Sequence, residues 1–308
     1  MKIMINQWIR YITKNWKLVV IVILSVIIGL SIIQYLNEEA KKQNEAKLNQ
    51  TQVDESIIYK TESVLGEGTI TTEEAMQNNG IINNFVSYCN EGKTREAYDL
   101  LSEECKQEVF PTINDFINLY YQVIFANPKT YTLENWISGK NTTYKVRFVN
   151  DALAMGGKKA EQTFEDYITV VYKNEVPYLN INKFVQKNEI NRETELNGIK
   201  IIVQTENVYI NNRTYDVTFQ NTNKNNMILY SIARNNNWYL QDEAGKTYLA
   251  NMAEITNDNF ILETNTSIQL TINFMKIYEK TDTVKWMKFD NIQVANENGT
   301  RFSMEVAI

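Results

Sequence analysis

The chain has 308 residues, 37 Asp and Glu against 31 Lys and Arg, a net charge of −6, two Cys, three Pro and no His. Without His it lacks the commonest general base, the usual metal-binding nitrogen and any Ser-His or Cys-His nucleophile pair. With only two Cys it cannot assemble a structural zinc site from the usual ligands, and an acidic balance without a dense Lys/Arg stripe argues against nucleic acid as a partner.

The first 17 residues carry Lys2, Arg10, Lys14 and Lys17 and no acid. They read as a short basic head. Leu18 to Leu36 follows without a charge, and Leu18, Val22, Val26, Gly29, Ile33 and Leu36 punctuate it. As a helix it would be about 28 Å long, against a hydrocarbon core of about 30 Å. The expectation is a transmembrane helix over 18–36, a lipid bilayer as its partner, a cytoplasmic amino terminus and residues 37–308 outside the cell membrane, since basic flanks stay inside. No small-x-small cleavage site follows the run, so a signal anchor is expected rather than a cleaved signal peptide. Ser25 and Gly29, four apart, allow close helix approach and a homodimer through this segment.

Residues 37–77 are polar and read as a stalk or linker. A first domain is expected over 78–187. Ile81, Ile82, Phe85, Val86 and Cys89 share a helix face, Gly92 stops that helix, and Thr94 opens a second with Ala97, Leu100, Leu101 and Cys105 inward. Pro111 breaks the chain before a third stripe of Ile113, Phe116, Ile117, Tyr120, Tyr121 and Ile124. On a hairpin of two helices the Cys positions are offset by about 12 Å, beyond the Cα separation of about 7 Å that a disulfide tolerates, so two buried free thiols are expected. The period then shifts to two, in Tyr144–Phe148 and again from Phe164 to Tyr172, with Asn174-Glu175 as a turn into Pro177–Ile181. Three helices followed by an antiparallel meander predict an α+β domain.

Gly156-Gly157-Lys158-Lys159 lacks P-loop spacing and reads as a hairpin turn. Asn257-Asp258-Asn259 offers oxygen ligands without an EF-hand loop and reads as a surface turn. Asp151, Glu165 and Asp166 fall near strand ends, where one could enter a pocket and act as a base, with Tyr120 or Tyr121 donating a hydrogen bond. The alternative is solvated carboxylates and core tyrosines, and no spacing decides between them.

Residues 188–197 are polar, end in Asn197-Gly198 and read as a linker. After them Ile199/Ile201/Val203, Tyr215/Val217/Phe219 and Ile268/Leu270/Ile272/Phe274 alternate with polar residues, and Asp242–Gly245 and Asn298-Gly299 read as hairpin turns. Seven or eight such strands predict a β-sandwich over 198–308.

The order of elements over 78–187, with Ala97-Tyr98-Asp99-Leu100-Leu101-Ser102 leading to Phe110-Pro111-Thr112, resembles the nuclear transport factor 2-like family. That resemblance implies a cone-shaped α+β domain with a sheet wrapped around a long helix, often with a pocket. Residues 198–308, through Leu240–Tyr248 and Gln269–Phe274, are similar to the telokin-like, immunoglobulin-like domains of Gram-positive surface proteins. The combined expectation is α+β: an N-terminal transmembrane helix, a cone-shaped domain, then an all-β sandwich. The function it implies is a membrane-anchored extracytoplasmic binding or scaffold protein of the bacterial cell envelope. It would have no catalytic activity, no cofactor and no metal, and would recognise a protein or cell-envelope partner. Two alternatives stand beside it: a component of a conjugation or type IV secretion apparatus, and a cone-pocket enzyme acting on a small apolar substrate.

Overall fold

The structure, a computed structural model, describes residues 62–64, 68–151, 154, 156, 163–231, 238–255, 259–279, 281, 283–295 and 299–308. The chain divides into two compact units, 1–58 and 59–308, and all described residues belong to the second. The expected basic head, the run with Leu18, Val22, Val26, Gly29, Ile33 and Leu36, and most of the expected stalk lie outside the described residues.

Helix α1 (Thr72–Asn90) starts where Thr71 accepts the Glu74 amide at 3.1 Å, with Glu73 and Glu74 in its first turn to complement the helix dipole. It ends at Gly92, whose φ of 73° suits glycine. Two short helices follow, α2 (Thr94–Asp99) and α3 (Glu103–Val109), the latter capped by Ser102 on the Cys105 amide. The third expected helix is broken into three pieces: α4 (Ile113–Phe116) opened by a Thr112/Asp115 capping box, a π-helical turn (Ile117–Tyr121), and α5 (Gln122–Ile124).

These helices cover an antiparallel sheet in the order β1 (Lys129–Ser138), β2 (Thr142–Asn150), β3 (Thr163–Lys173), β4 (Val176–Asn180). Before α1, Val64 donates its amide to Asn135 at 2.9 Å and Glu62 bridges Thr69, so this part of the expected stalk seals the outer edge of β1. Gly68 makes that approach possible: a Cβ there would stand 2.4 Å from the Ser138 carbonyl oxygen. The core of this first lobe is aromatic. Phe85, Phe110, Phe116, Tyr120, Phe125 and Phe148 are buried, with ring centroids 5.3 to 6.5 Å apart.

The second lobe is a sandwich. One sheet runs β12 (Ser267–Phe274), β7 (Arg213–Asn221), β6 (Ile199–Tyr209), β5 (Phe184–Leu196). The other is six-stranded, built from β8 (Met227–Ser231), β9 (Trp238–Asp242), β10 (Thr247–Leu249), β11 (Asn259–Leu262), β13 (Val284–Val294) and β14 (Arg301–Ala307). Alternation puts Ile201, Val203, Val217, Phe219, Ile272 and Phe274 of one sheet against Leu229, Trp238, Leu240, Met287 and Phe289 of the other. Phe219 stacks on Trp238 at 5.1 Å and meets Phe289 edge-on at 5.3 Å.

Three expectations are corrected here. First, the α+β assignment gives way to a mostly β chain: 52% of the described residues are in strands and 21% in helices. The helices, apart from α1, are one or two turns long, and strands occupy segments that had read as irregular. Second, the expected linker 188–197 is largely strand: β5 leaves the first lobe at Phe184 and pairs with β6 as far as Leu196. Third, among the described residues no helix is long and apolar enough to cross a membrane, so nothing described supplies the expected transmembrane helix.

The lobes share a junction. Val185, Val208 and Ile210 form a small apolar cluster with Tyr167 and Tyr278, and the Ile210 amide reaches the Lys183 carbonyl at 3.0 Å. Glu108 of α3 binds Lys187 at 2.6 Å and the side-chain amide of Asn207 at 2.9 Å. A buried cluster lies next to it, in which Glu206 accepts from Arg213, Tyr215 and Asn188.

Candidate functional site

Of the four pocket candidates, the structure brings two together. The Tyr120 hydroxyl donates to Asp166 Oδ2 at 2.7 Å, and both residues are buried. Asp166 accepts three further bonds, from the amides of Tyr167 at 2.7 Å, Asn182 at 2.9 Å and Lys183 at 3.0 Å. Asn182 and Lys183 have φ of 57° and 65°, a left-handed pair in the tight turn that Phe184 closes onto Ile181. Consecutive amides in such a turn form a concavity for an anion, and here the anion is a side chain of the same protein. Burial raises the Asp166 carboxyl above the ordinary range, while the hydrogen bonds from Tyr120, Asn182, Tyr167 and Lys183 pull it back. Tyr120 is pushed well above its usual value by burial and then by Asp166.

A general base needs a lone pair within reach of a substrate proton. The Asp166 oxygens are engaged by four donors, and the space around Tyr120 is filled by Phe85, Phe110, Phe116 and Phe125. The pair therefore acts as a knot holding β3 to the turn before β5. Tyr121 is half-buried and stacks on Phe125 at 6.3 Å. Asp151 stands apart at the end of β2, where its carboxylate accepts the Ala154 amide at 3.2 Å. Among the described residues no cluster of His, Cys, Asp or Glu could hold a metal ion. Gly157 to Lys159 of the turn considered for phosphate, and Asn257 and Asp258 of the turn considered for calcium, lie outside the described residues.

Glu165 points the opposite way from Asp166, and the outer sheet face there is polar and open. Glu165 binds Arg147 at 2.8 Å and Lys145 at 3.2 Å, which hold its carboxyl below the usual range. Lys145 lies 5.7 Å from the Trp136 ring, and Trp136 meets Tyr167 edge-on at 5.6 Å. Beside them a shallow groove of about 230 Å³ is lined by Thr132, Leu133, Glu134, Lys145 and Arg147. Strand alternation places these side chains. Glu134 pairs with Lys145, Thr132 with Arg147, and Arg147 with Glu165. Sequence reasoning named Glu165 but missed Trp136, Lys145 and Arg147 as one surface, because β1 itself was missed.

Lys129 was also missed. It is 3% exposed, its Nζ contacts Asn150 Oδ1, and the Phe164 ring lies 5.1 Å away. Asn90 clamps its backbone from both sides, taking the amide and donating to the carbonyl at 2.8 Å each. Burial lowers its pKa. No signal in the sequence separates this lysine from its solvated neighbours.

Comparison with known proteins adds little. No family model matches the chain, and no curated relative does. It is similar to a conserved hypothetical protein from Bacillus anthracis of known crystal structure, with 14% identity, 38% of this chain and 95% of that chain covered, and a TM-score of 0.26.

Proposed function

We propose that the protein is a non-enzymatic binding or scaffold component of a bacterial cell envelope, and that the outer face around Trp136, Lys145 and Arg147 is where it meets a protein or cell-envelope partner. One observation carries this reading. The Tyr120 hydroxyl and the Asp166 carboxylate, the pair considered for catalysis, are saturated and sealed, whereas Arg147 stands exposed on the adjoining sheet face with Trp136 and Tyr167 half-buried beside it. These three residue types dominate the energetics of protein interfaces. Arg147 has 57% of its side chain exposed, and its planar group suits a carboxylate or phosphate on a partner. Placement at a membrane is supported by the sequence alone, through the uncharged run Leu18–Leu36 and its basic flank.

The test is affinity capture from host membranes with the full chain, compared with Trp136→Ala and Arg147→Glu. A partner held by the wild type and lost in both variants, with thermal midpoints unchanged, supports the reading. A captured set identical in all three overturns the assignment of this face.

A further inference from the structure

The sandwich has five strands at its sheet edges, and four of them are guarded. β14, paired only with β13, carries Arg301 and Glu305 and is bulged against β13 between Phe289 and Ile292. β10 has three residues, and β11 has four with a register shift between Phe260 and Ile261. β5 is long, but its second half carries Glu189, Arg192, Glu193 and Glu195 and is bulged against β6 between Glu189 and Arg192. Charge, bulges and brevity are the usual means by which proteins keep sheet edges from pairing. β12 has none of them. Its eight residues, Ser-Ile-Gln-Leu-Thr-Ile-Asn-Phe, contain no charge, no Pro and no Gly, and they pair with β7 without a break in register.

The pairing with β7 fixes which backbone groups point away from the sheet. The Thr266 carbonyl accepts the Asn221 amide at 2.9 Å, so even-numbered residues face β7, and odd-numbered ones face outward. The Asn273 carbonyl is taken by the Asn251 amide at 2.8 Å. Ser267, Gln269 and Thr271 are exposed, and their outward amides and carbonyls have no bond among the described residues. On the inward-facing side of the same stretch, Ile268 keeps 36% of its surface in contact with water and Leu270 is half-buried.

We infer that β12 is a self-pairing edge: two copies of this chain join antiparallel through Ser267–Thr271 about a two-fold axis at Gln269, fusing their four-stranded sheets. The register follows from the open groups. With Gln269 opposite itself, Ser267 meets Thr271 of the second copy, and the three outward residues exchange about six hydrogen bonds. The same register sets Ile268 against Leu270 of the other copy in the close, non-hydrogen-bonded positions, which covers the exposed isoleucine. A second copy fits because every side chain brought opposite another is uncharged. A charged strand from another protein would find no complement there. The two-fold arrangement also closes on itself, so pairing ends at a dimer rather than a fibre. This goes beyond the partner-binding face around Arg147, which lies on the other lobe and survives or fails independently.

The test is sedimentation of the full chain in mild detergent over a concentration series. The expected result is a reversible dimer. Gln269→Pro removes the amide at the axis without touching a bond to β7, and weakens the dimer about tenfold or more. Gln269→Lys and Gln269→Glu each place like charges across the axis and weaken it alone, and an equimolar mixture of the two recovers a mixed dimer. The charged variants keep the test decisive if the proline variant unfolds, since Gln269 is exposed. A wild type that stays monomeric, or a dimer that all three variants leave intact, overturns the inference.

Discussion

Glu206 and Arg213 are seven residues apart in the chain and 2.8 Å apart in space, with side chains 5% and 1% exposed. They face each other across the β6–β7 hairpin, and Tyr215 and Asn188 complete the shell around the carboxylate. Two charges so deeply removed from water persist only as a set.

Arg213→Met should therefore be costly, because it strands the Glu206 carboxylate. The expected loss is about 3–5 kcal/mol, or roughly 10 °C in thermal midpoint for a unit of this size. Adding Glu206→Gln to that variant should recover part of the loss, and a double-mutant cycle by chemical denaturation measures the coupling. Additive losses would show that the two residues act separately.

Asp166→Asn puts an amide donor where four donors converge. It should lower stability by about 2–4 kcal/mol, read as a midpoint shift. The pH dependence has a definite sign. The folded pKa of Asp166 is raised, so its contribution is fully present below the unfolded carboxylate value and is lost as pH rises through the folded value. The wild type should lose stability over that window, and Asp166→Asn should remove this component from the pH profile.

Lys129→Met should stabilise the protein at neutral pH by about 1 kcal/mol or more, since it replaces a buried cation that has no ion pair among the described residues. Burial depresses the folded pKa of Lys129, so its penalty is greatest at low pH and fades as pH rises through the folded value toward that of the unfolded chain. The gain of the Met variant should shrink accordingly at alkaline pH. A variant less stable than wild type throughout would mean that the Asn150 contact outweighs desolvation.

Cys89 and Cys105 are free and buried, as expected, but they sit on α1 and α3 with α2 between them rather than on two consecutive helices. Burial raises both thiols, Cys105 to about 12 and Cys89 further. Neither should react with a thiol reagent in the native state at neutral pH, and both should react after denaturation. Reduction should leave the mass unchanged.

The legible parts of the fold were those where one face is dry and the other wet. Ile81, Phe85 and Cys89 marked α1, and Tyr215, Val217 and Phe219 marked β7, because burial imposed the period directly. β1 escaped notice because its register shift between Asn135 and Ile137 resets the alternation, and its dry positions include Lys129, Asn135 and Ser138. β5 escaped because Asn188 to Leu196 is wet on both faces, and its strand character comes from bonding to β6. At the candidate site, the sequence brought Tyr120 and Asp166 into view as possible pocket residues, but not their place in a sealed knot. Whether a carboxylate beside a tyrosine is a catalyst or a fastener depends on the Asn182 and Lys183 amides, which only the turn reveals. Trp136, Lys145 and Arg147 became a surface only once β1 and β2 were in register.

β5 enters the second lobe directly from the tight turn at Asn182 and Lys183, and β6 is paired with it as far as Leu196. A cut within β5 severs its ladder with β6, so the second lobe cannot be excised at residues 188–197. A protease should find no nick site within β5. A ligand on either lobe would be tied to the other through this strand pair rather than through a free tether.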